Sequence, residues 1–237
     1  MPEQLATLLV SCPDRKGLVA SLAQVLYGHG ANILDADQHT DAVAGMFFQR
    51  IRFDLASLNT DRVALAHGIG EVAARFGMTW RLAYGSRARR VAILVSKFDH
   101  CLWDLLIRHR AGELACEIAM VVSNHDALAP VAAHFGVPFH HLPVTAATRV
   151  AQEPEVWRLL DDAGVELIVL ARYMQILSAE FVERYPHRII NIHHSFLPSF
   201  AGAKPYHQAH VRGVKLIGAT CHYVTSELDA GPIIEQD

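Results

Sequence analysis

The feature that most constrains the fold is a change of hydrophobic pattern near residue 85. Before residue 85, the apolar patterns predict strands and helices in the order βαββαβ. After it, predicted strands and helices alternate. Between these two patterns, the segment Gly85–Arg90 has three arginines and no apolar periodicity, which is typical of a linker. We therefore predict two domains, at residues 1–85 and 91–237, joined by a linker at residues 86–90. The alternative is that the arginines of this segment form a binding patch.

The first domain has the pattern of six elements in the order βαββαβ. The predicted elements are a strand at 5–10, a helix that ends at 28–30, strands at 32–40 and 47–53, a helix at 61–76 and a strand at 78–82. In the third strand, Phe47 and Ile51 share one face, while Phe48 and Arg50 share the other. This order predicts a ferredoxin-like domain, a recurring α/β arrangement.

The second domain opens with Val91–Val95, an uninterrupted apolar run. Such a run is expected of a strand that is buried on both faces of a sheet. Further strands are predicted at 118–122, 137–142, 167–170 and 189–193, and helices at 102–106, 127–135, 154–163 and 178–185. This alternation predicts a Rossmann-like, mostly parallel, doubly wound α/β sheet, in which ligands bind beyond the carboxyl ends of the strands.

The composition argues against several classes of function. Of the 237 residues, 51% are hydrophobic and 19% are charged, so a buried core is expected. The net charge of -3 gives no electrostatic reason to expect a nucleic acid or a membrane as a partner. No apolar run approaches the roughly 20 residues of a membrane span, and the four cysteines form no CxxC pair. A cytoplasmic protein is therefore expected, and the spacing of the 15 histidines predicts no metal site.

Two polar segments of the second domain contain side chains that are suited to catalysis. Asn191 and His193 end a predicted strand, and alternation puts both on one face at the edge where ligands bind. An amide and an imidazole can stabilise the oxyanion of a tetrahedral intermediate, and an imidazole can transfer a proton near pH 7. Asp229 precedes the turn Ala230–Pro232, which would hold its carboxylate in place. Taken singly, each of these residues is better explained as an ordinary strand end or turn residue.

Together, these segments resemble the folate-dependent formyltransferases. The resemblance rests on Asn-x-His at 191–193, on Ser-x-Leu-Pro at 195–198 and on Leu-Asp-x-Gly-Pro at 228–232, and it extends from Val91 to the end of the chain. It implies that Asn191, His193 and Asp229 form a catalytic trio. Family members generally continue beyond the last of these motifs, so we expect either a truncated or a naturally shortened catalytic domain here.

The same resemblance implies a folate site. The segment 171–177 is similar to the family's pterin-facing segment, and the loop 224–228 would close the other side of the ring. The implied contacts are Tyr173, Met174, Gln175, Leu177, Val224, Thr225 and Glu227. The alternative for Met174 and Leu177 is an ordinary place in the hydrophobic core.

The residues after the first strand of the second domain indicate which molecule accepts the formyl group. Ser96–Leu102 contains no glycine-rich turn to hold a phosphate, and Asp99 would repel one. This segment, Ser123–His125 and Pro138–His141 resemble the deformylase branch of the family, in which water is the acceptor. The resemblance implies a hydrolase that splits 10-formyltetrahydrofolate into tetrahydrofolate and formate, which supplies formate for purine biosynthesis.

Folate is the substrate in that interpretation, and no metal, nicotinamide or flavin cofactor is implied. Two alternatives remain at the level of the sequence. One is an enzyme that transfers the formyl group to an amine, and the other is an amino-acid-sensing protein whose catalytic domain is inactive. A transferase acting on tRNA would need a basic RNA-binding extension, and the sequence contains none.

The first domain carries a resemblance of its own. Cys12–Val19 and Asp37–His39 resemble an ACT domain of the deformylase type, a module that binds small amino acids where its first loop meets a neighbouring copy. This resemblance implies an amino-acid effector, with candidate contacts at Asp14, Gly17 and Asn32, and a homo-oligomer. The alternative is a structural or dimerising module without an effector.

Overall fold

The chain forms two compact units, and the division between them in the sequence falls between residues 87 and 88. The structure is a computed structural model that describes residues 4–85, 88–145, 148–202 and 204–237. In these ranges, no helix combines the length and the apolar character that are needed to cross a membrane.

The first unit has the predicted ferredoxin-like βαββαβ order. Its elements are β1 (Leu5–Pro13), α1 (Leu18–Gly28), β2 (Asn32–Asp41), β3 (Met46–Asp54), α2 (Arg62–Phe76) and β4 (Thr79–Tyr84). The strands form an antiparallel sheet in the order β2-β3-β1-β4, so β2 and β4 are its edges.

The two helices of the first unit pack through apolar side chains that recur once per turn. Helix α1 buries Leu18, Leu22 and Leu26, and the residues of β3 that face the helices, such as Phe47 and Ile51, are also buried. The face assignment made from alternation along β3 is therefore confirmed.

The second unit is a seven-stranded sheet with helices between its strands. Its elements are β5 (Arg89–Val95), α3 (His100–Arg110), β6 (Cys116–Ser123), α4 (Ala129–His134), β7 (Phe139–His141), α5 (Arg149–Asp162), β8 (Leu167–Leu170), α6 (Ala179–Arg184), β9 (Ile189–His193), α7 (Pro205–Val211), β10 (Thr220–Tyr223) and β11 (Ile233–Gln236). The strand order is β11-β10-β9-β8-β5-β6-β7. Five adjacent strands, β9, β8, β5, β6 and β7, are parallel to one another. Strands β10 and β11 run antiparallel to their neighbours. The mostly parallel Rossmann-like sheet is therefore confirmed.

This strand order has one switch point, at the boundary between β5 and β8. The chain adds β6 and β7 on one side of β5 and then returns to add β8 and β9 on the other side. Crossovers that leave in opposite directions open a crevice above the carboxyl ends of the strands, where ligands bind in folds of this kind. Ser96 follows β5 and Ala171 follows β8, so both lie at that edge.

The predicted linker at residues 86–90 is longer than the structure allows. Arg89 and Arg90 are the first residues of β5 and pair with β6. The Arg90 side chain forms an ion pair with Glu117 of β6, and its Nε–H donates to the carbonyl of Ala163 at 2.6 Å. These contacts explain why a charged residue begins a buried strand. Of the other three residues of the predicted linker, Ala88 is described, whereas Ser86 and Arg87 lie outside the described residues.

Helix α5 begins five residues earlier than predicted. The sequence prediction started this helix at residue 154, but Pro154 lies inside the helix. The helix begins instead after Thr148, whose carbonyl accepts the N–H groups of Ala151 and Gln152 at 3.0 and 2.9 Å. The short helix α7 was not predicted, and most of its residues are exposed.

Candidate active site

A cavity of about 300 Å³ opens at the carboxyl ends of β8 and β9. Its walls include every catalytic and folate residue predicted from the sequence: Asn191, His193 and Asp229, together with Tyr173, Met174, Gln175, Leu177, Val224, Thr225 and Glu227. A mainly apolar concave site with a few converging polar groups is the usual form of a small-molecule site.

Asn191 is held in place by a histidine that the sequence analysis did not single out. Asn191 of β9 lies directly opposite His222 of β10, and its Nδ2 is 3.1 Å from His222 Nε2. The other ring nitrogen of His222 lies 2.9 Å from the carbonyl of Tyr223, which can only accept, so Nδ1 carries a hydrogen. Burial lowers the pKa of His222, so its Nε2 is a free acceptor for the Asn191 amide near neutral pH. His222 therefore fixes the orientation of the Asn191 amide, with its Nδ2 facing the His222 ring.

His193 and Asp229 form the second polar pair of the cavity, and both are almost completely buried. His193 Nδ1 is 3.5 Å from Asp229 Oδ2. The Nε2 of the same ring is 3.0 Å from the carbonyl of Phe200, so Nε2 carries a hydrogen. The ring therefore turns Nδ1 towards the carboxylate, and the pair attracts most strongly when a proton lies on Nδ1.

Asp229 is positioned by an unusual turn. Its φ angle is 55°, in the left-handed region, and its Oδ2 accepts the N–H of Gly202 at 2.9 Å. Two residues further on, a Cβ on Gly231 would overlap the carbonyl oxygen of Tyr223, so only glycine fits there. Asp229 Oδ1 is 3.8 Å from His222 Nε2, and the carboxylate thus lies within reach of both histidines.

The segment that follows β8 forms one wall of the cavity. Tyr173 is buried, and its hydroxyl accepts a hydrogen bond from Gln152 at 3.0 Å, so it supports the wall from behind. Met174 is 56% exposed, which is high for an apolar side chain in a cavity wall. A flat ligand that covered Met174 would remove this apolar surface from water.

The segment after β5 is tied to that same wall. The Ser96 hydroxyl donates to Asn124 Oδ1 at 2.6 Å and accepts the N–H of Met174 at 2.9 Å. Both functions of the hydroxyl are therefore used inside the protein. Asp99 begins helix α3 without capping it through its side chain. These contacts hold the wall in place and do not create a cradle for a phosphate.

The histidine next to His193 is uncharged near neutral pH. Burial, the charge of Arg172 and the neighbouring His193 lower the pKa of His194 to about 4. The two rings lie 5.4 Å apart, centroid to centroid. Although Asp229 is flanked by histidines, no group of three or more His, Cys, Asp or Glu side chains in the described ranges could hold a metal ion.

The three candidate effector residues of the first unit do not meet within one copy of the chain. Asp14 is exposed, and Gly17 begins helix α1 with a φ angle of 92°. Asn32 pairs with Asp54, at the opposite end of the sheet from Pro13. The separation along the strands is about 26 Å at about 3.3 Å per residue. An effector that contacts all three residues would have to bridge two copies.

The comparisons with known proteins match both units. The family described as "ACT domain" matches residues 6–62, and the family described as "Formyl transferase" matches residues 89–237. The formyltetrahydrofolate deformylase of Synechocystis sp. is 50% identical over all 237 residues of this chain, which cover 83% of that protein.

The chain belongs to the formyltetrahydrofolate deformylase family. A crystal structure of a formyltetrahydrofolate deformylase from Pseudomonas syringae pv. tomato agrees over 99% of this chain and 78% of that one, with 46% identity and a TM-score of 0.88. A glycinamide ribonucleotide transformylase from Symbiobacterium toebii agrees less well, with 34% identity and a TM-score of 0.61, and covers 66% of this chain and 76% of its own. The membership in the deformylase family and the presence of an ACT domain, both expected from the sequence, are therefore confirmed.

Replacing His222 with alanine tests its part in the site. We expect His222→Ala to lower kcat by about 10-fold to 100-fold, because the Asn191 amide loses the partner that orients it. The double variant with Asn191→Ala should be no slower than Asn191→Ala alone, since both changes remove one interaction. Steady-state measurement of product release checks both statements. Multiplicative effects of the two changes would show that His222 acts independently of Asn191.

Proposed function

We propose that this protein hydrolyses 10-formyltetrahydrofolate to tetrahydrofolate and formate. The observation that carries the proposal is the convergence of Asn191, His193 and Asp229 on one cavity, beside a wall with an exposed methionine. The internal use of the Ser96 hydroxyl supports water as the acceptor, because the end of β5 offers no phosphate cradle. The full-length similarity to deformylases supports the same reaction.

In this proposal, a water molecule attacks the formyl carbon that is attached to N10 of the folate. Asp229 positions this water and takes up one of its protons, or keeps His193 charged while it does so. His193 and the Asn191 amide stabilise the oxyanion of the tetrahedral intermediate. The bond between carbon and N10 then breaks, N10 receives a proton, and formate leaves.

The folate would lie between two walls of the cavity. Tyr173, Met174, Gln175 and Leu177 form one wall after β8, and Val224, Thr225 and Glu227 form the other after β10. We infer that the exposed side chain of Met174 packs on the ring, and that the buried Tyr173 acts as support. Folate is the substrate, and the reaction as written needs no cofactor.

Formate release in the absence of any added acceptor tests the proposed reaction. Purified protein is incubated with 10-formyltetrahydrofolate, and formate and tetrahydrofolate are measured together. Equal amounts of both products are expected. Turnover that requires a primary amine would instead identify a formyltransferase, and binding of amino acids without any folate turnover would identify a sensor protein.

Replacing Asn191 with alanine should lower kcat by about 10²-fold to 10³-fold, because one donor to the oxyanion is lost. The fold should persist, since Asn191 is only partly buried and its removal leaves no charge unpaired. Asn124→Ala, at the residue that follows β6, is an informative control because it changes an amide that supports the cavity wall through Ser96. Hydrolysis at the wild-type rate by Asn191→Ala would remove the residue from the mechanism.

The proposal also covers the effector, the oligomeric state and the compartment of the enzyme. We propose an amino-acid effector, held between ACT domains of two copies with Asp14, Gly17 and Asn32 as candidate contacts, and hence a homo-oligomer. The four free cysteines support a reducing compartment, the cytoplasm. Formate produced there would supply purine biosynthesis. Addition of single amino acids to the formate-release assay tests the effector.

A further inference from the structure

Arg172 stands at the cavity as a cation that the proposed mechanism does not use. It follows β8 by two residues, and it is the only lysine or arginine among the described residues that line the cavity. Its guanidinium lies over the ring of Phe98, with 4.7 Å from the central carbon to the ring centroid. A guanidinium that stacks on a ring by its face keeps its N–H groups available around its edge.

The contacts within the protein do not explain this side chain. No ion pair joins Arg172 to an acidic residue in the described ranges, and its Nε is buried without a hydrogen-bond partner. Its φ angle is 62°, which is unfavourable for a residue with a long side chain. An unpaired buried N–H and a left-handed backbone both oppose folding, and such features are concentrated at functional sites.

The proposed reaction creates an anion where the substrate has none. The formyl group enters as a neutral amide, and hydrolysis releases it as formate, beside the carboxylate of Asp229. Like charges in a partly desolvated cavity repel one another. A fixed cation on the same cavity would offset this repulsion and draw formate away from the reacting atoms.

The charge of Arg172 affects the histidine next to His193. It is one of the causes that lower the pKa of His194, the residue that follows His193. His194 is therefore neutral and does not compete with Arg172 for an anion. The guanidinium remains the cationic group on that side of the cavity, with a planar fork that matches the two oxygens of a carboxylate.

We propose that Arg172 forms a binding site for formate, which holds the product carboxylate after the bond to N10 has broken. This inference rests on the proposed hydrolysis, because that reaction makes formate. The ligand class is a small carboxylate. Formate has only three non-hydrogen atoms, so its contact with one guanidinium group gains too little for tight binding. We expect a Kd for formate of about 1 mM or weaker.

Binding of formate is measured directly on the folded protein, without folate. Line broadening of ¹³C-labelled formate in the NMR spectrum is titrated with wild-type protein and with Arg172→Gly, which suits the left-handed backbone and should fold. We expect Arg172→Gly to weaken formate binding by about 10-fold to 100-fold, and Arg172→Lys to weaken it less. Arg110→Gln is the matched control, because Arg110 stacks on Phe135 at 4.8 Å in the same way but does not line the cavity.

Inhibition of the hydrolysis by added formate gives the second readout. The inhibition constant for formate should rise with Arg172→Gly by the same factor as the Kd, and it should not change with Arg110→Gln. Unchanged formate binding by Arg172→Gly would overturn the inference, as would equal displacement of formate by chloride at the same concentration. A rise in the KM for the folate with unchanged formate binding would also overturn it, because Arg172 would then contact the substrate.

The two measurements separate this inference from the proposed function. Formate binding that depends on Arg172, in a protein that does not hydrolyse the folate, would support the carboxylate site and refute the hydrolysis. Hydrolysis with formate binding that is independent of Arg172 would support the function and refute the site.

Discussion

Replacing Asp229 with asparagine is expected to lower kcat by about 10³-fold with little change in stability. The change keeps the shape of the side chain, and the asparagine oxygen can still accept the N–H of Gly202. It removes the charge that faces His193 Nδ1 across 3.5 Å. It also removes the oxygen to which we assign the proton from water. General bases contribute about 10²-fold to 10⁴-fold to rates. Single-turnover measurement of formate release is the test, because it reports the chemical step.

Asp104→Asn is the control for this prediction. Asp104 is an exposed carboxylate in the same unit, paired with Arg108 one turn along helix α3. Its replacement should change neither kcat nor KM, because exposed ion pairs contribute little. If Asp229→Asn kept more than about a tenth of the wild-type rate, water activation would have to be assigned to another group.

Replacing Gly231 with alanine is expected to damage both stability and activity. A Cβ at this position would overlap the carbonyl oxygen of Tyr223 and lie 2.8 Å from its carbonyl carbon and 3.2 Å from Thr225 Cγ2. Backbone atoms cannot rotate away, so the turn must open. We expect a loss of about 3 kcal/mol in the free energy of unfolding, and a fall of about 6–12 °C in the melting temperature. The rate should fall as well, because Asp229 is only two residues away.

Gly28→Ala provides the comparison for a glycine without close neighbours. A Cβ there meets nothing within 4 Å, and its φ angle is not positive. Its effect on stability should stay within about 1 kcal/mol. Thermal denaturation and the formate assay on both variants separate a local clash from a general effect of alanine. Wild-type stability and activity of Gly231→Ala would mean that the turn adopts another conformation in solution.

The order of the elements could be predicted because each pattern is local. The apolar run Val91–Val95 and the alternation along β3 depend on neighbours within a few residues, and both predictions were correct. The errors arose where tertiary contacts oppose the local signal. Arg90 joins β5 through an ion pair with Glu117, which lies 27 residues away, and Pro154 is tolerated inside α5 although it removes a helical hydrogen bond.

The candidate site was predictable only in part for a similar reason. Asn191 and His193 share a face by simple alternation, and the distant Asp229 was linked to them only through the family resemblance. His222 was missed because its role depends on the register between β9 and β10, and the sequence contains no signal for that register. Arg172 was named only within the pterin-facing segment, since neither its positive φ angle nor its stacking on Phe98 follows from residue type.

The serine at the end of β5 has a consequence for how acceptor choice could change. Its hydroxyl joins two loops at once, through Asn124 and through the N–H of Met174. Replacing Ser96 with glycine would be a first step towards a nucleotide-binding turn. It would leave the amide oxygen of Asn124 and the backbone N–H of Met174 without their partner. A change of acceptor from water to a phosphorylated amine would therefore require coordinated substitutions in both loops. A single substitution at Ser96 would weaken the cavity wall that follows β8.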